Sequence, residues 1–161
     1  MQMRDEAERY CSLIERADSF CRDAFVATLA GLMAAASQLP EVSPTDEDLP
    51  DLLSQDEVRE RFAAVQRVLG EWESYWTTMA THGEEAEHLV MLPLGDDLAD
   101  IWSDLKRGLL ALEAGAPPAD VTWEWRSGFY THWGRHATEA LRALHARLAD
   151  SGGPTRDGGE R

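Results

Sequence analysis

LPLGDDLADIWSDLKRGLLALEAG, residues 92–115, decides the fold class. Leu98, Ile101, Trp102, Leu105, Leu109 and Leu112 recur at i, i+3, i+4, i+7 spacing, which lays one apolar stripe along an α-helix. Asp96 and Asp97 fall in its first turn, Lys106 and Arg107 lie nearer its end, and Gly115 is a natural stop. Each of these placements suits the helix dipole or the αL cap.

The same helical period extends in both directions, and no run alternates like a strand. Upstream, Ser54 and Glu57 of SQDE form a capping box that opens a third helix carrying Phe62, Val65 and Leu69. That helix either ends at Gly70 or continues through Trp72, Trp76 and Met79 to about Ala80, and residues 81–93 read as irregular. If it ends at Gly70, the connection exceeds about 20 residues, a length that is usually functional or carries structure of its own. Pro40, Pro44, Pro50 and a cluster of acids make residues 39–53 a loop. Before it, one helix runs from about Arg4 to Ala17 with Tyr10, Ile14 and Ala17 on a stripe. A second reaches about Gln38 with Phe25, Leu29, Leu32, Met33 and Ala36 inward, and Asp18 and Ser19 are caps between the two.

Downstream, Pro117 and Pro118 start a fifth helix to about Ala149, with a stripe of Val121, Trp125, Phe129, His132, His136, Ala140, Leu144 and Leu148. The tail SGGPTRDGGER has nothing to bury and reads as disordered over 151–161. The expectation is an all-α fold: one domain over 1–150, an up-and-down bundle of about five amphipathic helices with one long acidic loop region.

A chain of 161 residues with 43% hydrophobic content buries enough surface to fold without disulfides or metal. Its net charge of −15 disfavours direct binding to nucleic acid or to an anionic membrane, because both depend on lysine and arginine. The charge is also localised. Residues 1–40 sum to −2, residues 41–105 to −14 and residues 106–161 to +1. An acidic middle segment of this kind fits a basic protein partner. Fourteen of the fifteen bases are arginine, a skew that suggests a GC-rich genome. The N-terminus MQMRDEAER lacks the apolar core of a secretory signal, and the apolar run from Phe25 to Ala36 is too short to span a bilayer. A cytoplasmic location is therefore expected, with Cys11 and Cys21 reduced.

Two groups of residues carry potential chemistry. Asp97, Asp100 and Asp104, spaced i, i+3, i+7, place three carboxylates on one helix face, where they need a cation, arginine partners or good solvation. HWGRH, residues 132–136, offers His132 and His136 at i, i+4, a spacing that chelates zinc, iron or manganese. A metal there would take His132, His136, Asp97 and Asp100, with Glu124 as a further ligand or base. The structural alternatives are histidines bonded within a helix seam and aspartates paired with Arg126 or Arg135. Trp123, Trp125, Trp133, Phe129 and Tyr130 cannot all face one side of a helix, so some must pack elsewhere or lie exposed. Asp97, Asp100, Asp104, Glu124, Trp125, His132, Trp133, Arg135 and His136 are the candidate functional cluster.

LPLGDDLADIWSDLKRGL (92–109) and WEWRSGFYTHWGRHATEALRAL (123–144) resemble a bacterial family catalogued as a domain of unknown function. Also similar are YCSLIE near the N-terminus and Leu39–Pro40 after the second helix, so the likeness spans most of residues 8–148. Where other members follow the third helix with an aromatic–Asp–Pro turn, this chain has TTMATHG. The resemblance implies an all-helical fold and supplies no activity. Since no complete catalytic set appears, the sequence points first to a non-enzymatic protein-binding or regulatory module without cofactor. The second reading is a hydrolase-like enzyme that binds a divalent metal through the aspartate face and the HxxxH pair. Whether the chain is an enzyme, and its oligomeric state, are left open.

Overall fold

The computed structural model describes residues 2–16, 18, 20–45, 48–80 and 87–150. The tail expected to be disordered, 151–161, and two residues of the first turn region, Ala17 expected on the stripe of the first helix and Ser19 expected as a cap, lie outside them. Helix α1 spans Gln2–Glu15, α2 Arg22–Ala36, α3 Gln55–Leu69, α4 Leu94–Glu113, α5 Pro118–Thr131 and α6 Trp133–Asp150. A 3₁₀ turn, Gly70–Trp72, leads into strands β1 (Ser74–Ala80) and β2 (Glu87–Pro93).

Helix α4 is the hub and packs on α1, α3, α5 and α6. Leu98, Ile101, Trp102, Leu105 and Leu109 of its stripe are buried as the spacing requires. They meet Tyr10 and Ile14 of α1, Leu29 and Leu32 of α2, and Trp133 and Leu144 of α6 in one core. The buried Tyr10 hydroxyl donates to the Leu98 carbonyl at 2.9 Å, which satisfies a phenol that would otherwise be costly to bury. Both halves of the Ser54–Glu57 capping box are made.

Two expectations are corrected. The first concerns residues 74–80 and 87–93, which are strands rather than helix or irregular chain: β1 and β2 form an antiparallel hairpin in register from Ser74↔Pro93 to Ala80↔Glu87. Gly70, at φ 54°, ends α3 in a conformation that other residues adopt at a cost. The second concerns the fifth segment, which is two helices. The chain breaks at His132 (φ −141°, ψ −89°), whose N–H still closes α5 on the Gly128 carbonyl at 2.8 Å. Trp133 then turns fully into the core and donates its indole N–H to the Trp125 carbonyl at 3.1 Å. Gly134 makes this turn possible, because a β-carbon there would run into the Phe129 carbonyl. The described residues therefore hold six helices and a two-stranded sheet rather than a five-helix bundle.

The acidic loop before α3 is tied down. Asp120, buried at the start of α5, accepts from the Thr45 amide at 2.8 Å and from its hydroxyl at 2.7 Å. Cys11 is buried, its thiol pushed up to about 12 chiefly by burial, and Cys21 is exposed; both are free. Among the described residues no helix is long and apolar enough to cross a membrane.

Candidate functional site

The aspartate face of α4 and the break between α5 and α6 meet, and all three aspartates engage the histidine pair. Asp97 Oδ1 lies 2.7 Å from His136 Nδ1. Asp104 Oδ2 lies 2.8 Å from His132 Nδ1. Asp100 Oδ2 lies 3.6 Å from His136 Nε2. The two rings are 5.0 Å apart, centroid to centroid, with planes at 73°. Because a carboxylate only accepts, each Nδ1 carries the proton and each Nε2 is the nitrogen left for another partner.

The histidines are not on one continuous helix face, as HxxxH spacing alone suggests. His132 sits at the break and His136 one turn into α6. The break that separates their backbones still brings their rings together.

Asp97 is buried and fully engaged. Its second oxygen accepts the Tyr75 hydroxyl at 2.6 Å, so β1 supplies the third member of a Tyr75–Asp97–His136 chain. Burial and the bond to Asp97 together push the Tyr75 phenol well up. The His136 imidazole is raised above 6.5, first by its bond to Asp97 and then by the charges of Asp97 and Asp100, against the opposing effect of burial.

Alongside lies an open cleft of about 360 Å³, walled by the hairpin, the start of α4 and the start of α6. His136, Asp97, Asp100 and Asp96 line it, with Thr77, Glu139 and Arg135 at its sides. Asp96 holds a buried oxygen with no hydrogen-bond partner, and its carboxyl is raised by burial and by the charges of Asp100 and Asp97. Thr77 faces inward and donates to Glu139 at 3.2 Å.

Asp100, His132 and His136 each present one ligand atom such that all three atoms lie within 4.8 Å of one another. Asp97, placed among the ligands by spacing, instead stands behind His136. Glu124 does not join the group and lines a different cavity. The suggested arginine pairs do not form: Arg126 donates to the Leu39 carbonyl at 3.3 Å and stacks on Tyr130, while Arg135 is exposed at the cleft. Trp125 and Trp133 are core residues, and Trp123 and Tyr130 are exposed. Asp96, which the DDLAD run places beside Asp97, lines the cleft. Tyr75 was missed as a site residue, because it is hidden within a stretch that imitates a helix.

A sequence profile described as a domain of unknown function, DUF5063, matches residues 1–150. The chain belongs to the DUF5063 family. No curated protein matches it. A crystal structure of protein BF1032 from Bacteroides fragilis is similar over 96% of this chain and 94% of that one, with a TM-score of 0.77 and 22% identity. That likeness concerns the DUF5063 fold. The chemistry of the site rests on the residues described above.

Proposed function

We propose that this DUF5063 domain binds a divalent transition metal through Asp100, His132 and His136 and presents it to the cleft as a hydrolase-like centre. The observation that carries the reading is the duplicated aspartate–histidine pairing. Both imidazoles are held at Nδ1 by a carboxylate, the arrangement that orients metal-binding histidines and raises their basicity. Two imidazoles and one carboxylate suit zinc, iron(II) or manganese(II). Three protein ligands with open positions are typical of catalytic rather than structural sites. A cation would also offset the crowded charge of Asp96, Asp97 and Asp100. A metal held by Asp100, His132 and His136 would supply the Lewis acidity that activates water for hydrolysis. Metal analysis of protein purified without chelator or affinity tag tests the reading. One equivalent in the wild type and none in His136→Ala is the expected result; no metal in either sample, even after loading with zinc or manganese, refutes it.

A second reading, a docking module for a basic protein, is favoured by a different observation. The outer face of the hairpin leaves Trp76, Leu89 and Met91 about 60% exposed, at 60%, 64% and 58%. Exposed clusters of large apolar side chains often mark interaction surfaces. On this reading a Trp76→Ser substitution abolishes association that weakens with salt, and association unaffected by either change excludes it.

A further inference from the structure

The cleft beside the histidines carries one cation that the ligand set does not use. Arg135 is exposed and lines that cleft, which otherwise presents the carboxylates of Asp96, Asp97, Asp100 and Glu139. Glu139 lies one turn on, at a spacing suited to pairing with Arg135. It is taken instead by Arg142, which donates to it at 2.9 Å, and by the Thr77 hydroxyl at 3.2 Å. Asp97 is held by Tyr75 and His136. Among the described residues the Arg135 side chain makes no hydrogen bond or ion pair.

Arg135 directly precedes His136 on α6, so the two side chains leave the helix about 100° apart. Both nonetheless border the one cleft. At about 360 Å³ the cleft is small, so a group held at Asp100, His132 and His136 lies within the span of the arginine side chain. Leu92 and Pro93, at the end of β2, add an apolar stretch to the same wall.

We propose, resting on the metal reading above, that the substrate of this centre is a small phosphate monoester, with two phosphoryl oxygens on Arg135, a third left for the metal and the organic group along Leu92 and Pro93. The count of oxygens decides the class. A guanidinium binds two oxygens in a fork, and a metal with an open position takes one more. A phosphoryl group supplies all three. A carboxylate has two and an amide one, so each leaves the fork or the metal unmet. The carboxylates of the cleft repel an anion from the metal-free protein, so binding requires the loaded site. Hydrolysis forms one P–O bond from water and breaks the P–O bond to the alcohol. One proton of that water leaves on the alcohol oxygen, and the other stays with the phosphate.

Calorimetric titration of the zinc-loaded full chain with phenylphosphonate, benzoate and benzamide tests the class, with zinc content measured on the same samples. Phenylphosphonate keeps the three oxygens and has no ester bond to hydrolyse. Saturable binding of phenylphosphonate is expected, with benzoate and benzamide each weaker by about tenfold or more and no binding to the metal-free protein. Arg135→Gln is expected to keep one equivalent of zinc, because the side chain is exposed and lies outside the ligand set, and to weaken phenylphosphonate by about tenfold or more. Zinc-loaded protein that does not bind phenylphosphonate, binds benzoate or benzamide equally, or is unaffected by Arg135→Gln overturns this proposal and leaves the metal reading standing. Equal binding to the metal-free protein does the same. Protein that takes up no zinc refutes both.

Discussion

Tyr75 on the hairpin and His136 on α6 are bound to the two oxygens of one buried carboxylate, Asp97, at 2.6 and 2.7 Å. The hairpin, the hub helix and the last helix are thereby fastened at one point beside the cleft. Removing the middle group strands a phenol and an imidazole together. Asp97→Ala is expected to cost roughly 3 kcal/mol in urea unfolding, the scale for breaking a buried charged pair. On the metal reading it also weakens metal binding by about 10- to 100-fold, the usual cost of losing a residue that supports a ligand.

The end of that chain is expected to behave differently from the exposed face of the same strand. Tyr75→Phe deletes a donor to a buried carboxylate and should cost about 1–3 kcal/mol. Trp76→Ser, one residue along and facing solvent, should change stability by no more than about 0.5 kcal/mol. Parallel thermal denaturation of the two variants checks the contrast, and equal effects would mean that the register of β1 is wrong.

The His136 shift sets a pH dependence for the metal-free protein. Its imidazole is raised above 6.5 in the fold, so the protonated form is favoured by folding. The stabilisation is complete below the unfolded value near 6.5 and is lost as pH rises through the higher folded value. Metal uptake runs the other way, because a ligating histidine must lose that proton, and it strengthens as pH rises through the same range. Urea midpoints of metal-free protein from pH 5 to 9 should therefore fall across that window in the wild type and lose this component in His136→Gln.

Gly134 governs the break that brings the histidines together. A β-carbon would meet the Phe129 carbonyl, a backbone atom that cannot swing aside. Gly134→Ala is expected to cost roughly 2 kcal/mol and to separate His132 from Asp104. An unchanged melting temperature, together with an unchanged His132 resonance, would contradict this account of the turn.

The helices were legible where their stripes face one core. The period of Leu98–Ile101–Trp102–Leu105–Leu109 located α4, and the Ser54–Glu57 box located the start of α3. The hairpin was not legible, because both of its faces carry apolar residues. Tyr75 and Leu92 face the core beside Thr77, while Trp76, Leu89 and Met91 point outward, so no alternation of apolar and polar residues marks the strand period. Trp72, Trp76 and Met79 meanwhile imitate a continued helix. The length of the connection beyond Gly70 was the useful hint, since so long a segment calls for structure of its own. At the site, the spacing of Asp97, Asp100 and Asp104 puts three carboxylates on one helix face, and that face meets HWGRH. It could not divide their roles, because which carboxylate stands behind an imidazole and which faces its free nitrogen depends on the break at His132. No proline marks that break, and its cause is a steric fit between Gly134 and Phe129.

Cobalt(II) titration followed by visible absorption tests the metal centre most directly, because nitrogen ligation in a low-coordinate site changes the spectrum of the ion. Intense d–d bands that saturate at one equivalent in the wild type and disappear in both His132→Ala and His136→Ala are the expected result. A spectrum that stays that of the hydrated ion, or one that survives both substitutions, would contradict it.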